Sequence, residues 1–443
     1  MKAKLVPVYY QSSQDPDFVK QLDHLNRLLS QEADLLQPVA LGAPLPKEAD
    51  AVVFPQMLGQ AYTHLADIKA LGLPILVITS EFGTLSMWDW EINTYLASEG
   101  VKVLAPNSLE QAVRFCRASV LKRQLRDTKM LVYQDNPGEG FQAEIFKRFY
   151  WWEQECIDRL KSRFGVTTIK KSFKQLGEAA KAISDAEAQA AWTSFKDRTP
   201  TKGLAQRPIL SAMKLYLAVK RDLDQDAGIA AAGINCLNES HFSDSTPCLA
   251  WNLLFEDRRI VWGCEADLVS MMTELLIHRT LGVPFLMSNI YPYLMGNTAL
   301  KHEHIPYFPQ VAAEPENYAL VAHCGYLGVV PQSFAMEWAL KPKVLAIVDE
   351  NAHAIDARIQ EGDITLIKLV PPFDVLSVVE AKLEFYAQFE NSDCLNGAVI
   401  RVPNGPRMLK ELASHHYILT AGKNLPDLEG VAQILGLACR VLE

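Results

Sequence analysis

Glu265 and His416 are the residue types from which a divalent-metal site is built, and each stands where a short apolar run meets a turn. The run Arg259-Ile260-Val261-Trp262-Gly263-Cys264 reads as a strand that delivers Glu265, and then Asp267, to the start of a helix. The doublet His415-His416 opens a second strand, Tyr417-Ile418-Leu419. Carboxylate oxygens together with an imidazole suit a divalent ion such as Mn²⁺. Strand ends in α/β proteins are also where ligands bind. Plainer readings stand beside these: a strand-end glutamate is commonly solvated, and Asp267 is well placed to cap the helix that follows it.

The elements that must position these residues follow from the hydrophobic pattern. Apolar runs at residues 5–10, 51–54, 74–78 and 101–104 alternate with helical patterns, the first through Phe18, Leu22, Leu25, Leu28 and Leu29. Continuous apolar strands separated by amphipathic helices predict a parallel sheet covered on both faces, here over residues 1–125. A second α/β domain is expected over 126–340, with strands at 129–133, 166–169 and 228–234, and it carries Glu265. Its first loop, with Pro137, Gly138 and Gly140, leads into a long helix predicted through Phe146, Tyr150 and Ile157. The two glycines fit a strand-to-helix turn better than a dinucleotide loop, since no third glycine follows in register. Over 341–443 the pattern changes to short strands with turns between them, at 344–347, 364–369, 397–402 and 416–419. That is the pattern of a β-rich, antiparallel domain, and it carries His416.

Bulk properties exclude several classes. A net charge of -9 argues against nucleic acid, which needs a basic surface. The eight cysteines include no CxxC pair, so neither a zinc ribbon nor a disulfide framework is expected. The first ten residues lack the apolar core of a secretory signal, and no run reaches the length of a membrane span. A soluble, cytoplasmic chain with no membrane partner is the expectation.

From Cys236 onward the chain resembles the L-fucose/L-arabinose isomerase superfamily, and is most similar to its fucose-isomerase-like members. The resemblance rests on an ordered set: Pro247-Cys248-Leu249-Ala250, Cys264-Glu265-Ala266-Asp267, Ser270-Met271-Met272 and Gly282-Val283-Pro284-Phe285 come first. Ala322-His323-Cys324-Gly325, Gly362-Asp363-Ile364-Thr365-Leu366 and His415-His416 follow. In the N-terminal half, Trp88-Asp89-Trp90-Glu91 sits where such proteins have a comparable loop. The resemblance implies two Rossmann-like parallel-sheet domains followed by a barrel-like C-terminal domain. It also implies a homo-oligomer, trimer or hexamer, in which neighbouring N-terminal domains help to wall the pocket. The activity implied is aldose–ketose isomerisation of a small sugar with Mn²⁺.

By the same resemblance Glu265 is the first metal-binding carboxylate and His416 the metal-binding histidine. The second carboxylate should fall in the strand after Pro284, where this chain has Asn289. An asparagine takes no proton near neutral pH, although its amide oxygen still reaches a metal. Asp267 and Glu239 are the candidate substitutes, Asp267 as a catalytic group beside Glu265. His323 and His415 are expected to line the substrate pocket, whereas His302-Glu303-His304 reads as a solvated turn. The pairs Trp151-Trp152 and Met271-Met272 read as core. Two functions follow: a metal-assisted isomerase working through an enediol, or a catalytically degenerate relative that only holds a sugar.

Overall fold

The computed structural model describes the chain apart from residues 58, 136–147, 237–241, 293–306, 308–309, 312, 324–325, 344–350, 390–391 and 393–394. The chain forms two compact units. One comprises Met1–Arg126 with Arg279–Gly282 and Pro426–Cys439; the other comprises Asp127–His278, Val283–Leu425 and Arg440–Glu443.

In the first unit the strands are β1 (Ala3–Tyr9), β2 (Ala33–Leu35), β3 (Val39–Ala40), β4 (Ala51–Phe54), β5 (Ile75–Val77) and β6 (Val103–Leu104). They pair in parallel in the order β2-β1-β4-β5-β6, with β3 beside the end of β1. Helices α1 (Pro16–Leu29), α2 (Leu65–Lys69), α3 (Met87–Ser98) and α4 (Leu109–Arg126) connect or follow them. All four residues of β4 are buried, as a strand covered on both faces requires. Helix α1 starts where the sequence chemistry dictates: Asp15 accepts from the amides of Asp17 and Phe18, Pro16 opens the first turn, and Phe18, Leu25 and Leu29 form the buried stripe. Trp88-Asp89-Trp90-Glu91, expected as a loop, is the first turn of α3, with Trp88 exposed and Asp89 buried. Residues 426–439 complete this unit. Gly430 is needed there because a Cβ would overlap the Phe115 ring of α4, and Arg114 of α4 pairs with Asp427.

The second unit begins with a parallel sheet of β7 (Lys129–Tyr133), β8 (Thr167–Lys171), β9 (Ile229–Ile234) and β10 (Val261–Cys264), in the order β10-β9-β7-β8. Its helices are α5 (Gln154–Phe164), α6 (Phe173–Ala182), α7 (Asp185–Thr193), α8 (Gln206–Leu223), α9 (Cys248–Arg258) and α10 (Leu268–Thr280). The single helix expected through Tyr150 and Ile157 is interrupted. Tyr150–Trp152 is one 3₁₀ turn, Glu153 is extended, and α5 starts at Gln154. Pro137, Gly138, Gly140 and Phe146 lie outside the described residues.

The β-rich part is a closed antiparallel barrel. Its strands are β11 (Phe285–Pro292), β12 (Tyr318–Ala322), β15 (Gly362–Val370), β16 (Val375–Ala387), β17 (Gly397–Arg401) and β18 (His416–Ala421), while β13 (Glu337–Pro342) and β14 (His353–Arg358) form a separate ribbon. The order is β15-β18-β11-β12-β17-β16, and β16 returns to pair with β15. Closure leaves no ladder edge open along the ring. The chain is thus α/β with parallel sheets and a terminal barrel.

The boundary expected after residue 340 is different in the structure. It runs through β13, and the barrel takes β11 and β12 from the segment assigned to the second α/β domain. Composition could not show this, because Phe285-Leu286-Met287 and Ala319-Leu320-Val321 are as uniformly apolar as parallel strands. The expected strand at 344–347 lies outside the described residues.

Candidate functional site

Strand β10 ends at Cys264, and the next two residues turn the chain sharply into α10. Glu265 and Ala266 both adopt left-handed backbone, with φ of 57° and 54°. Such conformations cost a non-glycine residue of order 1 kcal/mol each and collect at functional sites. Amides of Ala266 and Asp267 close the turn on the carbonyls of Gly263 and Cys264, each at 3.1 Å. Gly263 permits it, since a Cβ there would meet the Met271 side chain of α10 at 2.6 Å. Asp267 caps α10: Oδ1 accepts from the amides of Val269 and Ser270, each at 2.9 Å.

The histidines and Asn289 come from the barrel. His416 is the first residue of β18 and lies directly opposite Asn289 of β11, so the two side chains share one face. On its other side Asn289 opposes Ala322, the last residue of β12, which is followed by His323. His323 is held by backbone bonds with Tyr326, its amide donating at 2.5 Å. Glu265 therefore meets two imidazoles. Oε2 stands 3.6 Å from His416 Nε2, and Oε1 stands 4.0 Å from His323 Nε2. Glu265, His323 and His416 are all buried.

Behind His416 lies a buried polar triangle. Asp267 Oδ2 accepts from His416 Nδ1 at 2.9 Å, from Ser270 Oγ at 2.7 Å and from Lys368 Nζ at 3.0 Å. Lys368 also donates to Ser270 Oγ at 2.7 Å. Aromatic side chains close the site: Trp152 Nε1 donates to the Glu265 carbonyl at 2.6 Å, and the Trp151 ring lies 5.1 Å from that of His416. His415, half-buried, packs on Phe149 and Trp151 and shares with Glu265 and His416 ligand atoms within 4.8 Å of one another.

The electrostatics follow from burial and from these neighbours. Burial alone would raise the Glu265 carboxyl, but the charge and contact of His416 override it and lower the group to about 2. Asp267 is lowered further: burial is outweighed by the Lys368 ammonium and the His416 contact. Burial opposes a charge on His416, yet Glu265 and Asp267 together raise it. His323 is lowered to about 3 and His415 to about 4, first by burial and then by the charge on His416. Glu265 is thus an anion at neutral pH, while His323 and His415 are neutral.

Glu265, His415 and His416 bring ligand atoms within 4.8 Å of one another, His323 Nε2 stands 4.0 Å from Glu265 Oε1, and Asn289 is the cross-strand neighbour of His416. Asp267 does not take the direct role expected of it, because it is fully buried and both its oxygens are engaged behind His416. Glu239, His302, Glu303, His304 and Cys324 lie outside the described residues. Met271, Met272, Trp151 and Trp152 are all buried core residues, and the two tryptophans also touch the site. Nothing in the periodicity distinguished those tryptophans. Lys368 had a signal, since a lone lysine inside the apolar run Ile364–Leu369 must find a counter-charge if buried. Comparison with known proteins finds no family model that matches the chain and no match among curated proteins.

Proposed function

We propose that this chain is a metal-assisted aldose–ketose isomerase for a small open-chain sugar, with Glu265, His416 and the Asn289 amide oxygen as ligand set and His323 beside it in the substrate pocket. One observation carries this reading. Among the described residues, Glu265 Oε2, His416 Nε2, both ring nitrogens of His323 and Asn289 Oδ1 are buried without a hydrogen-bond partner. Each such atom costs about 1–3 kcal/mol, and a cation would remove that cost for the atoms that face it, at most one of the two His323 nitrogens among them. Oxygen and imidazole donors fit Mn²⁺ or a similar ion. The Asp267–His416 bond is the outer contact that orients a metal-binding imidazole.

A bound ion would supply a Lewis acid for the oxygens on the first two carbons of the sugar. The remaining work falls to side chains. Isomerisation through an enediol moves one proton between adjacent carbons and another between their oxygens. Glu265, held anionic, is the group able to accept the first. Neutral His323, beside Oε1 of Glu265, is able to take or return the second. Asn289 moves no proton, because its amide does not titrate near neutral pH, and its nitrogen donates to the Tyr291 hydroxyl at 3.0 Å. Buried Trp151 and Trp152 keep water from the reacting atoms.

Asn289 also supports the second reading, a relative that binds a sugar without converting it. The deciding experiment is Mn²⁺-dependent conversion of a panel of aldoses by wild-type protein and Glu265→Gln, with metal content measured in both. The isomerase reading expects bound Mn²⁺ and turnover in the wild type and neither in the variant. Sugar binding without metal or turnover would leave the binding reading. The same resemblance supports a homo-oligomer, and a monomer by light scattering at micromolar concentration would count against it. Among the described residues no helix is long and apolar enough to cross a membrane.

A further inference from the structure

Lys368 has no evident reason to be where it is on fold grounds alone. It sits in β15 between Ile367 and Leu369 with 1 % of its surface exposed, in a position where a methionine would fill similar space. Burying an ammonium costs several kcal/mol unless it is paired and hydrogen-bonded. Its two hydrogen bonds go to Asp267 Oδ2 and Ser270 Oγ, and to nothing else among the described contacts. Ser270 in turn donates to the same Asp267 oxygen, so lysine, serine and aspartate form a closed triangle. That oxygen is also the one that receives His416 Nδ1. The other Asp267 oxygen is fixed by the two amides at the start of α10. The carboxylate is thereby held from three directions, and the imidazole is the fourth group it contacts.

We infer that Lys368 is a positioning residue for the metal centre: with Ser270 it clamps Asp267 in the orientation that aims His416 Nε2 at Glu265. This rests on the metal reading above. A merely structural alternative exists, in which Lys368 only cancels the buried charge of Asp267. The two differ in what a charge-balanced double variant does.

The test uses the full chain with Co²⁺ as a spectroscopic probe, and Lys368→Met, Ser270→Ala and Asp267→Asn/Lys368→Met as variants. The proposal expects Co²⁺ affinity to fall by about 10–100-fold in each single variant, the usual effect of losing such an outer contact, with altered visible bands. In metal-free protein, the downfield His416 Nδ1 proton resonance should shift or broaden. The double variant should regain thermal stability without regaining affinity. Wild-type affinity and bands in a folded Lys368→Met, or recovery of both stability and affinity in the double variant, would overturn the proposal. If Lys368→Met does not fold, Ser270→Ala decides, since it keeps both charges and removes only the bridging hydroxyl. Should the wild type bind no Co²⁺, the metal reading fails. The His416 resonance then decides the positioning role by itself: a change in Ser270→Ala supports it, and an unchanged signal overturns it.

Discussion

Nδ1 of His416 lies 2.9 Å from Oδ2 of Asp267, and neither residue has measurable exposure. The contact uses one imidazole nitrogen as donor and leaves the other, Nε2, facing Glu265 at 3.6 Å. Two carboxylates only two positions apart in sequence thus divide their work. The left-handed turn at Glu265 and Ala266 sends one toward the open face of the imidazole and the other behind it.

Asn289→Asp should add one ligand charge beside His416. We expect Mn²⁺ affinity to rise by at least about tenfold, worth roughly 1.4 kcal/mol, with any turnover rising alongside. Isothermal titration with Mn²⁺ measures this. Weaker sugar binding with no gain in metal affinity would show instead that the amide serves to hydrogen-bond a ligand.

Glu274, on α10, is fully buried, with Oε2 accepting from the Trp262 amide at 3.3 Å and Oε1 without a partner among the described residues. Burial raises its carboxyl well above the ordinary value. An acid with a raised folded pKa loses stability as pH climbs above its unfolded value, because the unfolded chain releases the proton first. Glu274→Gln mimics the protonated form. It should raise the melting temperature at pH 8 by about 1–2 °C, the shift expected for roughly 1 kcal/mol in a chain of this size, and by much less at pH 4.5. Equal shifts at both pH values would refute this account.

His353 behaves in the opposite way. Its Nε2 accepts from the Leu249 amide in the first turn of α9 at 3.4 Å, where a second proton would break the bond and face the positive helix end. Burial lowers the group from 6.5 to about 4. Its contribution to stability is complete above pH 6.5 and is lost as pH falls from there toward 4, since the unfolded chain binds the proton first. The loss should reach about 3 kcal/mol. Urea denaturation at pH 7.5 and pH 4.5 should therefore show a steeper acid loss in wild type than in His353→Gln; parallel losses would count against it.

Gly430→Ala tests the packing of the C-terminal helix within the first unit. The added methyl would overlap the Phe115 ring, and overpacking of this kind costs about 1–3 kcal/mol. Thermal melts should show the loss, and Phe115→Leu in the same chain should restore part of it. A Gly430→Ala protein as stable as wild type would mean that the helix shifts freely.

The sequence by itself determined the local pieces, because periodicity and cap chemistry act over a few residues. The strands β1, β4, β5 and β6 with the helix α1, the strand that ends at Glu265 and the one that begins at His416 were legible in that way, whereas the short β2 and β3 were not. Glu265 and His416 stood out as candidates because each stands at a strand end, whereas Asn289 was singled out only through the family resemblance. Tertiary structure decided the rest. Whether β11 and β12 join a parallel sheet or an antiparallel barrel depends on pairing partners 27 to 135 residues away (Pro292 with Ala319, Phe285 with Thr420), which an apolar run does not encode. The different fates of Glu265 and Asp267 depend on two left-handed residues that no glycine announced. Lys368 and Trp152 join the site across 101 and 113 residues of sequence, and only the closed chain brings them into contact.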